Sequence, residues 1–404
     1  MATSIFKKNF PGAEKLQQAV DTADYIIGLD LHKKTTAICV VDRKRPDAPV
    51  FERRQLKNNQ LPEVILRFAG NKVVACEAAY GWHLLRSALV DVLGVTFVPL
   101  DARKTASWIK TSGIKNDKID AQVLCAVLLH GGVMRLAVHQ PNQDARESWQ
   151  LVKHRDNLVR QRSSVKRQLT ALERDQDANP YTGEIPSLSD IQRLLDKNLR
   201  GDLEFLSERI KDCERQMTAS GKDDDVIERL QTIPGIGPIT AFALRHKIES
   251  LDRFEDAPHL CSYMGLGVRQ RCSGDHAVSG KITKTGNALI RRLLVQGAQV
   301  IRFRKPDLPS LYFPVFGQKI LMNNRIHANK VVVALARKHL TFVYWIWKSE
   351  MPFDIERYRD MRKTQTSSPE GGEAPGCLTH APTVPLPSIC VPSKEGELGS
   401  LLVR

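Results

Sequence analysis

The chain has no apolar run close to the ~20 residues that a membrane-spanning helix needs, so no membrane segment is expected. Met1–Gln18 carries Lys7, Lys8 and Lys15 but no apolar h-region, and no secretory signal is read there. Cys39, Cys76, Cys125, Cys213, Cys261, Cys272, Cys377 and Cys390 form no C-x-x-C pair. That argues against zinc and against a disulfide framework, and fits a reducing cytoplasm. Acidic residues are in short supply: 45 Asp and Glu stand against 60 Lys and Arg, for a formal charge of +15 and a pI near 9.5. A polyanionic partner, nucleic acid first, is the expectation. The 404 residues, 42% of them hydrophobic, can bury a substantial core in two or three domains.

What the chain does have is four carboxylates, dispersed along its first third, in contexts that let them meet. Asp30 lies inside the apolar run Tyr25-Ile26-Ile27-Gly28-Leu29-Asp30-Leu31, and Glu77 ends the run Val73-Val74-Ala75-Cys76-Glu77. Asp117 and Asp120 sit in Lys115-Asn116-Asp117-Lys118-Ile119-Asp120-Ala121, ahead of an apolar helical stretch. A carboxylate inside a strand-like apolar run needs a cation or donor nearby, because burying an unpartnered charge is costly. Hard divalent cations take such oxygen ligands, which points to metal-dependent chemistry on phosphates. Asp117 and Asp120, three apart, share a helix face. For these two, an N-cap and a first-turn dipole role stand equally open. Strands disfavour Asp, so Asp30 is the stronger signal.

The chain divides by pattern. Residues 1–23 read as an N-terminal extension and 24–140 as an α/β domain. There Tyr25–Leu31 and Thr36–Val41 form a hairpin, Val73–Glu77 and Val95–Leu100 are further strands, and Leu61–Phe68, Trp82–Leu93 and Ala121–Leu129 are helices. Residues 141–222 read as a coiled-coil connector. Leu151, Leu158, Val165 and Leu172 recur every seven residues; after a break at Asn179-Pro180-Tyr181-Thr182-Gly183, Leu199, Leu203, Leu206, Ile210, Cys213 and Met217 recur at steps of four and three. An intramolecular hairpin and an intermolecular arm both suit that spacing, with the balance towards intermolecular contacts. Residues 223–360 read as a compact helical domain whose Trp345 and Trp347 pack in the core, and 361–404 as a disordered tail.

Two later motifs bear on phosphate. Ile233-Pro234-Gly235-Ile236-Gly237-Pro238 lies between apolar helical stretches and resembles a helix–hairpin–helix, whose backbone N–H groups at a helix start can dock a phosphate. The stretch Gly265-Leu266-Gly267-Val268-Arg269-Gln270-Arg271-Cys272-Ser273-Gly274 precedes Ser279-Gly280-Lys281-Ile282-Thr283-Lys284-Thr285-Gly286-Asn287 and a helix with Arg291 and Arg292. Glycines, Ser-Gly pairs and cations suit a hydroxyl presented to a phosphate, although composition alone favours a polar surface loop. Serine needs activation by a base or a metal, and no His/Asp pair stands nearby in sequence, so metal from the carboxylate site is the candidate activator. The spacing is wrong for a nucleotide phosphate loop, with Ile282 in place of the Ser/Thr that should follow Lys281. Lys330, Arg337 and Lys338 recur near helical spacing and read as a solvated face rather than a phosphate track.

An Asp in mid-strand before a polar hairpin, a Glu ending a later strand and two helical carboxylates resemble the ribonuclease-H-like nuclease fold. There the carboxylates hold two Mg²⁺ ions about 4 Å apart across a phosphodiester. The ordered set of motifs across residues 24–358 resembles the DEDD transposases of bacterial insertion-sequence family one-hundred-ten. The pieces are Gly28-Leu29-Asp30-Leu31-His32-Lys33, Cys76-Glu77-Ala78, Asn116-Asp117-Lys118-Ile119-Asp120-Ala121, Pro234-Gly235-Ile236-Gly237, Gly265-Leu266, Ser273-Gly274 and Ile282-Thr283-Lys284-Thr285-Gly286-Asn287.

That resemblance implies a RuvC-like catalytic domain, a coiled-coil connector and a C-terminal serine transposase domain. It implies that Asp30, Glu77, Asp117 and Asp120 bind Mg²⁺ and that Ser273 forms a 5′-phosphoserine link to DNA. Gly235, Gly237, Arg269, Arg271, Lys281, Lys284, Arg291 and Arg292 are the candidate nucleic-acid contacts. It further implies a bridge RNA as guide, element ends and target DNA as substrates, a homodimer or homotetramer, and a bacterial cytoplasmic, nucleoid-associated setting. Cys272 beside Ser273 is a departure, and Cys272 and Ser279 remain rival nucleophiles.

The competing readings are a junction-resolvase-type endonuclease using metal-activated water, with Ser273 structural; an actin-like sugar kinase or ATPase; and a non-catalytic binder. The kinase reading lacks a Gly-rich adenosine motif and the basic charge is wrong for it; in a non-catalytic binder Asp30→Asn would leave every measurable activity untouched.

Overall fold

In the computed structural model, residues 13–78, 81–111, 117–175, 183, 187–273, 276–304 and 328–354 are described. The tail read as disordered lies outside them, as does most of the Asn179–Gly183 break. Residues Met1–Phe353 form one unit. The segment read as an extension contains helix α1 (Ala13–Asp21), followed by β1 (Tyr25–Leu31), β2 (Thr35–Asp42) and β3 (Pro49–Lys57). Next come α2 (Leu61–Leu66), β4 (Lys72–Glu77), α3 (Trp82–Arg86, running on as a wider turn to Val92), β5 (Thr96–Leu100) and α4 (Ala102–Thr111). Helices α5 (Asp117–Leu129) and α6 (Val133–Leu136) complete the α/β region.

The five strands run β3-β2-β1-β4-β5, with β1–β2 and β2–β3 antiparallel and β1–β4 and β4–β5 parallel. Helices cover both faces, which is why the strands read as unbroken apolar runs. On one face Ile26, Cys39, Ala75 and Val98 pack with Leu124, Cys125 and Leu128 of α5. On the other, Ile27, Leu29, Val74 and Cys76 pack with Leu61, Val64 and Ile65 of α2. Strand β3 is an edge on which Leu56 alone is buried, and its polar composition hid it from the pattern reading.

Two long helices follow, α7 (Gln143–Arg174) and α8 (Asp190–Ser220). Asn142 caps α7 through its side chain, and Ser189 with Gln192 forms a capping box on α8. Ion pairs Arg155–Glu214 (2.5 Å) and Arg200–Glu173 (3.2 Å) fix the two helices as antiparallel. The seam closes within the chain: Leu158, Leu206, Ile210 and Cys213 are buried together, with Leu151, Val159 and Val165 against them.

Among the described residues the α-helices that follow are α9 (Asp225–Gln231), α10 (Pro238–Ile248), α11 (Ala257–Tyr263), α12 (Ala288–Arg304) and α13 (Ala328–Ser349). The region is not wholly helical. Residues expected to be a polar loop form an antiparallel hairpin of β6 (Val268–Ser273) and β7 (His276–Ile282), with Ser273 opposite His276. Trp345 corrects the expectation of core packing: it is 55% exposed, whereas Leu340 and Val343 on the opposite side of α13 are buried. Trp347 is half-buried, with the Arg245 guanidinium over its ring at 5.3 Å.

Candidate metal centre and nucleic-acid interface

The site begins with a missing side chain. A Cβ on Gly28 would stand 2.1 Å from the Ala121 carbonyl oxygen and 3.0 Å from Cys125 Sγ, so α5 lies directly on β1 at this point. A glycine inside a strand is the mark of such a close approach. Asp117 and Asp120, in the first turn of α5, are thereby carried to the end of β1 where Asp30 stands. The parallel register pairs Leu29 with Cys76, so Asp30 and Glu77, one step further along each strand, face the α5 side together.

His32 closes the group. Its Nε2 lies 3.5 Å from Asp30 Oδ2 and 3.3 Å from Asp117 Oδ2. One ligand atom each from Asp30, His32 and Asp117 lies within 4.8 Å of the others. The Glu77 carboxylate accepts a hydrogen bond from the Thr105 hydroxyl of α4, and Thr105 is fully buried. Burial pushes the Asp30 carboxyl above its ordinary range, His32 pulls it down, and the carboxylates of Asp120, Asp117 and Glu77 raise it further. Asp30 therefore feels the other three carboxylates. Like charges gathered in a half-buried cleft are the donor set a divalent cation neutralises, so the residues fit such an ion. His32 and Thr105 were not singled out as site residues from the sequence, because both act through tertiary contacts that no spacing encodes.

The phosphate-side candidates are placed unevenly. Lys281 and Lys284 are exposed, Lys284 with a left-handed backbone (φ 56°). Arg291 is turned inward: its Nη1 donates to the Met264 carbonyl at 3.3 Å, and burial lowers its guanidinium pKa. Arg292 pairs with the buried carboxylate of Asp156, which also holds Arg160 at 2.7 Å. The side chains of Arg269, Arg271, Cys272, Ser273 and Ser279 lie outside the described residues; the backbone of β6 and β7 carries them. Gly235 has φ 85° and meets Gly297 of α12, where a Cβ would come within 2.8 Å of the Gly297 carbonyl. Its glycine answers a packing demand, whereas Gly237, before α10, has open space around it. Lys330 is exposed, and Arg337 and Lys338 are half-buried on α13.

The loop after β7 packs tightly on the turn after α11. The Thr283 N–H donates to the Gly267 carbonyl (2.8 Å) and the Lys284 N–H to the Gly265 carbonyl (3.1 Å). From α4, Arg103 Nη1 donates to the Thr285 carbonyl at 3.4 Å. The helix that holds Glu77 thus touches the segment leading out of the Ser273 hairpin.

Comparison with known proteins places this joining of an α/β region to a helical C-terminal region among the transposases. Residues 27–172 match the DEDD transposase family of the IS110 type, and residues 227–312 match the transposase family of IS116, IS110 and IS902. A probable family 20 transposase of Pseudomonas aeruginosa is 30% identical over 343 residues, 80% of this chain and 97% of that protein. The transposase of insertion sequence element IS1111A from Coxiella burnetii is 25% identical over 360 residues, 84% of this chain and 92% of that protein. A pilin gene-inverting protein of Moraxella bovis is 34% identical over 130 residues, 31% of this chain and 38% of that protein. The chain belongs to the IS110-type DEDD transposases. It is an insertion-sequence transposase, an enzyme that acts on DNA, and the family's chemistry uses divalent metal ions. Among the described residues, no helix is long and apolar enough to cross a membrane.

Proposed function

We propose that the chain cleaves and rejoins DNA at a site shared by a RuvC-like (ribonuclease-H-type) carboxylate centre and Ser273. The observation that carries this reading is the convergence of Asp30, Glu77, Asp117 and Asp120 at the end of β1 beside α5. The four carboxylates would hold Mg²⁺, two ions on this reading, and the metal would supply neutralisation of the phosphate charge. Asp30 and Asp120 form the half-buried side of the site and Asp117 its exposed lip. Thr105 holds Glu77 in place, and His32 keeps Asp30 and Asp117 from drifting apart.

In the cleavage step the Ser273 hydroxyl oxygen bonds to the scissile phosphorus and the bond to the 3′ oxygen breaks. The serine proton ends on that 3′ oxygen, leaving a 5′-phosphoserine and a free 3′ hydroxyl. Rejoining is the reverse displacement by a 3′ hydroxyl from another strand, which returns the proton to serine. Storing the phosphodiester in a covalent link suits an enzyme that must reseal what it cuts. The gene-inverting relative supports this, because inversion requires both steps. Cys272 and Ser279 are the rival nucleophiles. Lys281, Lys284, Arg269 and Arg271 would contact DNA near the hairpin, with Gly237 at the start of α10 offering backbone donors. The chain then divides into a catalytic domain at 24–140, a coiled-coil connector at 141–222 and a serine transposase domain at 223–360. Guidance by a bridge RNA and assembly as a dimer or tetramer complete the reading.

The test is covalent trapping. Incubation with element-end DNA and Mg²⁺ should leave a nucleotide remnant on a peptide containing Ser273, read by mass spectrometry, and Ser273→Ala should abolish it along with cleavage. Full cleavage by Ser273→Ala would remove the covalent step and leave a resolvase-type endonuclease. A remnant on Cys272 or Ser279 would reassign the nucleophile.

A further inference from the structure

The outer face of α7 carries a pattern that the carboxylate centre and the Ser273 hairpin do not use. Lys153, Asn157, Arg160, Ser164 and Arg167 recur at steps of four and three and so line one face of the helix; all are exposed except the half-buried Ser164. Trp149 begins the stripe one turn earlier. A cavity of about 310 Å³ opens at this end, walled on one side by Trp149, Lys153, Asn157 and Arg160 and on the other by Asn287 and Leu289 at the start of α12. The one acid at the cavity, Asp156, is already neutralised by Arg160 and Arg292. A further cation stands by: the Lys247 ammonium lies over the Trp149 ring at 5.4 Å.

Helix α8 pairs four of its six exposed cations within the helix: Arg193 with Asp190, Arg200 with Asp196, Lys211 with Glu208 and Arg215 with Asp212, while Lys197 and Arg209 have no ion pair among the described residues. On the α7 stripe, Lys153 and Arg167 have no carboxylate within ion-pair distance among the described residues. Unpaired cations in a row beside an aromatic wall are the arrangement that holds a nucleic-acid strand by its phosphates and one of its bases by stacking.

We propose that the α7 face from Trp149 to Arg167 is a single-strand binding track, with one unstacked base held against Trp149 in the cavity, a neighbouring phosphate on Lys153 and a phosphate several nucleotides further along on Arg167. The recognised chemistry is a phosphodiester strand with a free base face, common to single-stranded DNA and RNA. The inference rests on the reading of the chain as a nucleic-acid enzyme but names a surface outside its cleavage site.

Fluorescence anisotropy of the full chain in EDTA, with labelled dT 20-mer, U 20-mer and a 20-base-pair duplex, tests it without any cleavage. Trp149→Leu should weaken single-strand binding about 5- to 100-fold, and Trp149→Phe should restore most of it. Lys153→Gln with Arg167→Gln should reduce the slope of log K against log salt by about 0.7 for each lost contact. Lys211→Gln, at an ion-paired position of α8, should change nothing. A response of the dT probe alone assigns the track to DNA, and of the U probe alone to RNA; either supports it. Variants that bind both single strands with wild-type affinity and salt slope overturn it, as does an effect confined to the duplex. A wild-type chain that binds none of the probes undoes the nucleic-acid reading itself.

Discussion

Gly28→Ala is the substitution that asks most directly whether helix placement builds the carboxylate centre. The added methyl would sit 2.1 Å from the Ala121 carbonyl oxygen, and ordinary contact begins near 3.4 Å, so α5 or β1 must yield by about 1.3 Å. Both partners are backbone, so no side-chain rotation relieves the clash. Ala121 follows Asp120 directly, and the helix start that carries Asp117 and Asp120 moves with it, away from Asp30. Overpacking of this kind costs about 1–3 kcal/mol of stability. A catalytic group displaced by about 1 Å costs on the order of 100-fold in rate. The assay is Mg²⁺-dependent cleavage of element-end DNA at a temperature where circular dichroism shows the variant folded, with thermal melting alongside. A folded Gly28→Ala protein should cleave about 100-fold more slowly than wild type. Wild-type cleavage together with wild-type melting would refute the argument that α5 is seated through this glycine.

Other perturbations probe separate parts of the chain. Thr105→Val removes the hydroxyl that Glu77 accepts from; it should cost about 1–2 kcal/mol and raise the Mg²⁺ concentration for half-maximal cleavage, while Thr105→Ser keeps both near wild type. Gly201→Ala, inside α8 with open space where the Cβ would go, should stabilise by about 1 kcal/mol in thermal or denaturant unfolding; a loss would contradict an exposed helical position. His339 is wholly buried in α13, neither ring nitrogen has a hydrogen-bond partner among the described residues, and burial lowers its pKa to about 4. The unfolded chain takes up this proton near pH 6.5 and the folded chain only near pH 4, so the stability is intact above 6.5 and lost as pH falls between those values. The loss totals about 3 kcal/mol, and unfolding across that window should flatten by this amount in His339→Leu; equal slopes would contradict it.

Much of the α/β region was legible because its strands are buried on both faces and read as apolar runs ended by charge. Tyr25–Leu31 was read at its observed bounds, and Asp30 stood out as the residue such a run should not contain. Strand β3 and helix α4 escaped notice for the opposite reason. Pro49–Lys57 is an exposed edge, and Ala102–Thr111 is largely polar and basic, so neither carries a strong apolar period. The hairpin around Ser273 was missed because Val-Arg-Gln-Arg-Cys-Ser offers little hydrophobic alternation, and its pairing is fixed by partners across the turn. The seam between α7 and α8 was plain in the spacing, but spacing cannot say whether the partner helix belongs to the same chain. Trp345 failed on face rather than on type: at 100° per residue it falls about 140–160° from the fully buried Leu340 and Val343. Among the site residues, Gly28 carried a usable signal, a glycine amid β-rich residues, whereas His32 and Thr105 gain their meaning from neighbours distant in sequence.

Calorimetric titration of the metal-free chain with Mn²⁺ tests the convergence of the carboxylates most directly, because it needs neither DNA nor the serine. Wild type should bind, and Asp30→Asn, Glu77→Gln and Asp120→Asn should each weaken binding about 10-fold or more while melting as folded proteins. Undiminished Mn²⁺ affinity in folded Asp30→Asn and Asp120→Asn would contradict a common metal centre at the end of β1.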